Sequence, residues 1–283
     1  MEEKNIQINS AFADSSWDSS MTDIVDRSAQ AMKKSRKGEA MPKQSKLDSL
    51  EEWTPVEEVI FKRRSIRAFK PTPLPGFMIR RILEAGRFAP SAGNAQPWKF
   101  AVVNSPEIIA AMETDAVKMA KLFMWMLDYS RSTFRRIFLK PFSKLIIRMQ
   151  CNQLHPVPFG LLRQIAAGRA PVFHGAPTLI LLYEDRRGVS CPATDIGVCG
   201  QNMVLTAHSM GAGSCWIGLV KLLMYLPRWR KFFNVKYPYK LENLIAVGWP
   251  KVKSDGQVPR EAQLVDWYEG GLNSAPRVEK LGV

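Results

Sequence analysis

The chain has 283 residues, of which 46% are apolar, and a formal net charge of +14. This length and apolar content predict a globular domain with a sizeable core and exclude a fibrous or disulfide-stapled chain. The four cysteines form no CxxC pair, so no metal site is predicted. The acidic, polar N-terminus does not resemble a secretory signal, and the expected location is cytoplasmic.

Residues 1–52 differ in composition from the rest of the chain. They are polar and carry eight Lys/Arg against ten Asp/Glu, which predicts a flexible N-terminal extension. The excess of positive charge therefore lies entirely beyond residue 52, where it favours acidic or phosphorylated partners.

The folded body is predicted to begin at Thr54. Thr54, Pro55 and Glu57 form a capping box with proline at the first helical position, followed by a stripe of Val56, Val59 and Ile60 that we expect to be buried. Helical spacing also predicts a helix over Gly76–Arg87, ending before Pro90, and another over Thr194–Met210.

Apolar runs predict three strands, over Lys99–Val103, Thr178–Tyr183 and Asn243–Gly248. Between the first two lies a long helical region, 106–150, with an interruption at Pro141. Its part 118–150 holds eight Lys/Arg against one acid, Asp128, and belongs to a basic amphipathic insert at about 113–165. Residues 118–150 could dock an acidic ferredoxin or flavodoxin, cover a ligand site as a lid, touch a membrane surface, or simply pack on the body.

Four sequence blocks carry groups suited to binding a phosphorylated, heteroaromatic ligand. Arginine offers a planar fork to phosphate oxygens, short polar side chains offer donors and acceptors, and glycine lets the backbone approach a flat ring. Each block alone could be a solvated face, a polar loop or a helix stop. The blocks are Lys62–Arg67 (KRRSIR), Ala89–Trp98 (APSAGNAQPW), Gly211–Gly218 (GAGSCWIG) and Val258–Arg260 (VPR).

Together, and in this order, the blocks resemble the nitroreductase family of FMN-dependent enzymes. The resemblance covers about residues 55–270 and implies an FMN-binding domain over 53–275. The implied fold is α+β, with a small central mixed or antiparallel sheet flanked by helices in an intertwined homodimer. In similar proteins the helix matching Thr194–Met210 packs in the dimer core, where Gly197, Gly200 and Ala207 would allow close approach.

The resemblance also implies roles for individual residues. The counterparts of Arg63, Ser65 and Arg67 contact the FMN phosphate, ribityl chain and pyrimidine edge, with Arg260 beside the phosphate. Pro90, Ser91 and Asn94 match positions that reach the flavin from the partner subunit. Backbone N–H groups of Ile217 and Gly218 match positions near the reactive edge, although several relatives have an acidic residue at Ile217. The remaining candidate cofactor contacts are Arg64, Gln96 and Trp216.

The implied activity is reduction of a small organic acceptor, such as a nitroaromatic or a quinone, in a ping-pong cycle through FMN. NAD(P)H or an acidic ferredoxin or flavodoxin would be the donor. No catalytic side chain is identified, since the three histidines and the cysteines form no nucleophile–base arrangement. Alternatives are reductive dehalogenation, flavin fragmentation or dehydrogenation by a specialised relative, and, outside enzymes, a basic nucleic-acid- or membrane-binding protein. No nucleic-acid module is recognisable, so no nucleic-acid partner is expected.

Overall fold

The structure is a computed structural model that describes residues 53–127, 156–252 and 258–282, together with 133, 137, 138, 140 and 141. The described residues fall into two compact units, one within 118–170 and the other formed by 53–117 and 171–282. The N-terminal extension and most of residues 118–150 lie outside the described residues, so the predictions for them stay predictions.

The first helix, α1 (Pro55–Lys62), begins with the predicted capping box. The Thr54 hydroxyl accepts a hydrogen bond from the Glu57 N–H at 3.3 Å, and the Glu57 carboxylate accepts one from the Thr54 N–H at 2.9 Å. The predicted burial of its apolar stripe is wrong, because Val56 is 67% exposed and Ile60 43% exposed. Helical spacing shows that a face is apolar, but it does not show what covers that face.

Helix α2 (Gly76–Arg87) has the predicted bounds and buries Met78, Ile79 and Ile82. It packs against α5 (Pro192–Ser209), which was predicted two residues later at its start. A Cβ atom at Gly86 would lie 2.3 Å from the Met203 side chain. Glycine at this position therefore sets how closely the two helices approach.

Four antiparallel strands form the central sheet. One central strand is buried over Thr178–Glu184 and the other over Leu244–Gly248, which explains why these apolar runs were recognised in the sequence. The fold class is confirmed as α+β with a small antiparallel sheet. The strands are β1 (Trp98–Val103), β2 (Thr178–Asp185), β3 (Gly213–Trp216) and β4 (Tyr239–Gly248). Their order across the sheet is β1-β2-β4-β3.

Two features of the strands were not predicted. The segment Gly213–Trp216 was expected to be a glycine-rich loop, but it pairs with β4, where Gly213 lies opposite Gly248. An exposed hairpin of β5 (Gln263–Trp267) and β6 (Arg277–Leu281) follows near the end of the chain. Each of these segments is a strand only because it pairs with another segment of the chain, and the propensity of its own residues does not reveal that pairing.

Further helical segments are α3 (Pro106–Leu127), α4 (Pro156–Ala166) and α6 (Pro227–Phe232), with short 3-10 turns over Ala92–Asn94 and Gly218–Tyr225. The described residues between α3 and α4 are helical. Among the residues that the structure describes, no helix is both long and apolar enough to cross a membrane.

Candidate functional site

The first candidate block lies along the edge of the sheet. Ser65 forms a parallel bridge with Ser214 of β3, and the Ile66 N–H donates to the Ser214 carbonyl oxygen at 2.9 Å. Gly213 leaves room for the Ile66 side chain, since a Cβ there would lie 2.9 Å from it. The segment Arg63–Arg67, which we call the arginine segment, is therefore held beside β3 by backbone pairing.

A second anchor holds the chain just beyond Arg67. Phe69 is buried and bridges to Pro250, and the Lys70 N–H donates to the Trp249 carbonyl oxygen at 2.8 Å. The close packing of Phe69 and Pro177 on Gly248 leaves no space for a Cβ atom at that glycine. Arg67 is exposed between these two anchors, so its backbone position is fixed while its guanidinium remains accessible.

Arg63 ends α1, and its N–H donates to the Val59 carbonyl oxygen at 3.1 Å. Its side-chain Nε is buried and has no hydrogen-bond partner among the described residues. Leaving a buried charged donor unsatisfied costs free energy, so this position favours an anionic acceptor from outside the chain. Arg64 beside it is also partly buried, and Ser65 is exposed.

Two histidines that the sequence reasoning set aside lie near this segment. Burial, together with the positive charge of Arg67, lowers the pKa of His174. Burial, together with Arg63 and Lys62, lowers the pKa of His208. Neither contact could be found from sequence spacing, because more than 100 residues separate each histidine from its arginine.

The loop that carries His174 is held in place by a carboxylate. Glu113 accepts hydrogen bonds from the backbone N–H groups of Val172 and Phe173, and Phe173 is fully buried. His174 itself adopts a left-handed conformation with a φ of 56°, which is uncommon for a residue with a side chain. The clamp by Glu113 thus stabilises a strained turn next to the arginine segment.

The third block, Gly211–Gly218, contains β3 and the two residues on either side of it. Trp216 lies over Gly200 of α5, where a Cβ atom would come within 2.1 Å of the indole ring. Gly200 thus serves packing within the chain, as does the buried Ala207, whereas Gly197 is exposed. The packing of this helix against a second copy of the chain stays a prediction.

The two backbone donors predicted next to Trp216 differ in availability. The Ile217 N–H donates to the Leu244 carbonyl oxygen at 2.8 Å and is already satisfied. Gly218 begins a 3-10 turn, so its N–H has no partner within that turn. Its missing side chain faces open space. Gly218 is therefore the better candidate donor to a ligand.

The second block forms a loop that holds itself together. The Ser91 hydroxyl accepts from the Gln96 N–H at 2.9 Å, and the Gln96 amide donates to the Asn94 side-chain oxygen at 3.2 Å. Gly93, Asn94 and Gln96 all have positive φ values, between 48° and 58°. Two of the three carry side chains, which is the kind of local strain that clusters at functional sites. Pro90, Asn94 and Gln96 are exposed, and Ser91 is partly buried.

Within one chain this loop, residues 90–96, lies far from the arginine segment. The loop leads into β1 at one edge of the sheet, whereas the arginine segment lies beside β3 at the other edge. Three strand spacings separate those edges, about 14 Å. The two blocks also lie at opposite ends of the strands. Trp98 pairs with Glu184 at the end of β2. Ser214 pairs through Val247 with Thr178 at its start, a separation along the strand of about 20 Å.

The remaining candidates have simpler environments. Arg260 is exposed and forms no hydrogen bond or ion pair with another described residue. Burial raises the pKa of Cys215, against the opposing effect of Arg67, and raises that of Cys199 to about 12. Both thiols therefore stay protonated near neutral pH, which does not suit a nucleophile. No cluster of potential metal ligands occurs among the described residues.

Comparison with known proteins identifies the fold. A nitroreductase from Desulfitobacterium hafniense with bound FMN matches with a TM-score of 0.54 and 20% identity, covering 74% of this chain and 96% of that one. A nitroreductase from Bacteroides fragilis with bound FMN gives a TM-score of 0.53 and 21% identity over 73% and 95% of the two chains. Identities this low show the shared fold alone.

Sequence comparison places the same region in one family. A putative NADH dehydrogenase/NAD(P)H nitroreductase of Archaeoglobus fulgidus is 24% identical over 70% of this chain and 87% of its own length. The 4-nitrobenzoate reductase of Pseudomonas putida is 29% identical over 56% and 70%. The model of the nitroreductase family matches residues 60–249. The predicted resemblance is confirmed, and the chain belongs to the nitroreductase family.

Proposed function

We propose that this protein is an FMN-dependent oxidoreductase that transfers electrons from NAD(P)H to a small organic acceptor. The observation that carries the proposal is the arginine segment: it is anchored to β3 in a member of this family, and it presents a buried Arg63 Nε that lacks an acceptor. A phosphate or carbonyl oxygen of the cofactor would satisfy that donor.

The donor set near β3 suits the polar parts of FMN. Arg63, Ser65 and Arg67 would hold the phosphate, ribityl chain and pyrimidine edge, with Arg64 adjacent to them. The open backbone at Gly218 leaves room for a flat ring, and Trp216 would border that ring. Arg260 is exposed and could reach the same phosphate.

The rest of the site would come from a second copy of the chain. Pro90, Ser91, Asn94 and Gln96 lie at the opposite corner of the sheet from the arginine segment. One chain therefore cannot easily bring both blocks to one cofactor, whereas a two-fold pairing would place one chain's loop against the other's arginine segment. The exposed apolar stripe of α1 is a further surface that such a homodimer could cover.

When bound, FMN would accept and release the electrons, so that no protein nucleophile is needed. The protein's own groups would bind and orient. The arginine guanidinium groups would balance negative charge on the cofactor, and the Gly218 N–H would donate a hydrogen bond at the ring edge. Burial raises the pKa of Cys199 and Cys215, which disfavours the thiolate form of both.

The decisive experiment is anaerobic reduction of the purified yellow protein. We expect about one FMN per chain, reduction by NADH or NADPH, and reoxidation by a nitroaromatic or quinone. Reduced ferredoxin should be tested in parallel, since the sequence left both NAD(P)H and an acidic ferredoxin open as the electron donor. Failure to bind FMN, or to be reduced by any of these donors, would contradict the proposal.

The shared site can be tested by complementation. One variant carries Arg63→Ala and Arg67→Ala, and the other carries Ser91→Ala and Asn94→Ala. If the site is shared, a mixed dimer has one intact site and one doubly altered site, so co-expression yields sites of wild-type FMN affinity, which neither variant has alone. If each chain holds its own FMN, every site in the mixed dimer is damaged and no recovery follows.

A second candidate is reductive dehalogenation. The iodotyrosine dehalogenase 1 homolog of Caenorhabditis elegans is 35% identical over 122 residues, which cover 40% of this chain and 35% of that protein. A halogenated phenol in the acceptor panel tests this activity through halide release.

A cytoplasmic location and a role of the basic insert in donor docking stay predictions of the sequence.

A further inference from the structure

The segment between Gly218 and β4 is strongly basic. Residues 218–241 contain no Asp or Glu, and they hold six cations: Lys221, Arg228, Arg230, Lys231, Lys236 and Lys240. None of these was among the residues predicted to bind the cofactor. Their arrangement separates them into two groups of three.

Three of the six cations, Lys221, Arg228 and Lys240, are paired with carboxylates. Lys221 and Lys240 both bind Glu242, at 2.5 and 2.8 Å, and Arg228 binds Asp115 at 3.1 Å. Both carboxylates are mostly buried, whereas the cations are largely exposed. Each of these three cations therefore has a carboxylate partner within the chain, although the two lysines share one.

The other three cations share a different environment. Arg230, Lys231 and Lys236 are exposed and form no ion pair with any described residue. All three line one cavity of about 330 Å³, together with Pro227, Asn234 and Val235. This volume lies in the range of small-molecule sites, about 300–1,000 Å³. No carboxylate lines the cavity, so it concentrates uncompensated positive charge.

The cavity wall is rigidly supported. Asn234, with a φ of 49°, ends α6, where the Val235 N–H donates to the Arg230 carbonyl oxygen at 2.8 Å and the Asn234 N–H to that of Lys231 at 3.1 Å. The neighbouring Trp229 is buried, and its indole N–H donates to Asp115 at 3.0 Å. The backbones of Arg230 and Lys231 are thus positioned before any ligand arrives.

We propose that this cavity, which we call the α6 cavity, binds the phosphate groups of a small phosphorylated molecule. Three unpaired cations match a group that carries about two negative charges per phosphate and several acceptor oxygens. The six lining residues all lie within residues 227–236, so the positive charge is confined to an area that suits one small ligand. The inference is independent of the flavin, because none of its residues belongs to the proposed cofactor site.

The test is calorimetric titration of the FMN-loaded full-length protein at low salt with inorganic pyrophosphate and, separately, with ADP. FMN loading keeps the probes away from the arginine segment. The test variant carries Arg230→Gln and Lys231→Gln. The matched control carries Arg80→Gln and Arg81→Gln, which removes the same charge from exposed arginines on α2.

We expect saturable binding to the wild type at one site per chain, at least ten-fold weaker binding to the α6 variant, and little change in the control. Lys236→Gln should weaken binding less than the double change. The proposal is overturned if neither probe saturates, or if both double variants lose affinity equally, since that would show a general effect of net charge. Binding of anionic vesicles or single-stranded nucleic acid without pyrophosphate binding would also overturn it. The thermal midpoint of each ligand-free variant verifies that it is folded.

Discussion

The two halves of the proposed flavin site are built in different ways. The arginine segment is held by backbone pairing to β3 and by packing of Phe69 on Gly248, so its geometry depends on the core. The loop 90–96 is exposed and is held by its own side chains in a strained backbone. Changes that disturb the first half should therefore affect folding and cofactor together, whereas changes in the second should affect the cofactor alone.

The largest effect is expected from removing the cations of the arginine segment. Arg63→Ala combined with Arg67→Ala should weaken FMN binding by about 100-fold or more, because hydrogen bonds to charged groups contribute about 1.5–3 kcal/mol each. Fluorescence titration of the apoprotein with FMN measures this loss. The Arg80→Ala and Arg81→Ala double variant should bind FMN normally; an equal loss there would show that net charge, not position, controls binding.

The second largest effect is expected from a side chain added at Gly200, which lies beneath the Trp216 indole. Gly200→Ala places a Cβ 2.1 Å from the rigid indole and should lower the free energy of unfolding by about 1–3 kcal/mol while reducing FMN content. Gly86→Ala meets the flexible end of Met203 instead and should cost less. Urea unfolding of both apoproteins tests the order, and a larger loss for Gly86→Ala would contradict it.

These assignments show what the sequence could and could not predict. The Thr54 capping box and the bounds of α2 were found because both depend on neighbouring residues. Strand β3 was missed because only β4, more than 20 residues away, makes Gly213–Trp216 a strand. The proximity of His174 to Arg67 likewise depends on the sheet order. The family resemblance supplied the list of site residues, but it could not show that Ile217 already donates to Leu244.

A smaller effect on FMN binding is expected from a change in the loop 90–96. Ser91→Ala removes the acceptor of the Gln96 N–H and should speed FMN release several-fold, since a hydrogen bond of this kind contributes about 0.5–1.5 kcal/mol. The thermal midpoint of the apoprotein should change little because the loop is exposed. Stopped-flow release and calorimetry measure the two quantities. A clear drop in the apoprotein midpoint would remove the contrast between the two halves.

The smallest effect concerns pH. The folded chain lowers the pKa of His174 and His208, so below pH 6.5 the unfolded chain binds more protons than the folded one. The free energy of unfolding should therefore fall between pH 7.5 and 5.5. A variant with His174→Gln and His208→Gln should show a flatter profile by urea unfolding. An unchanged slope would mean that folding does not lower the pKa of these two imidazoles.

The diagonal placement of the two blocks on the sheet has a consequence for how the enzyme matures. A newly made chain carries only half of the proposed site, so stable FMN loading has to wait for an encounter with a second copy. At low protein concentration the rate of flavin incorporation would then rise with the square of the chain concentration, rather than in proportion to it. Cofactor acquisition would thus be coupled to expression level, and sparse, unpaired chains would remain colourless.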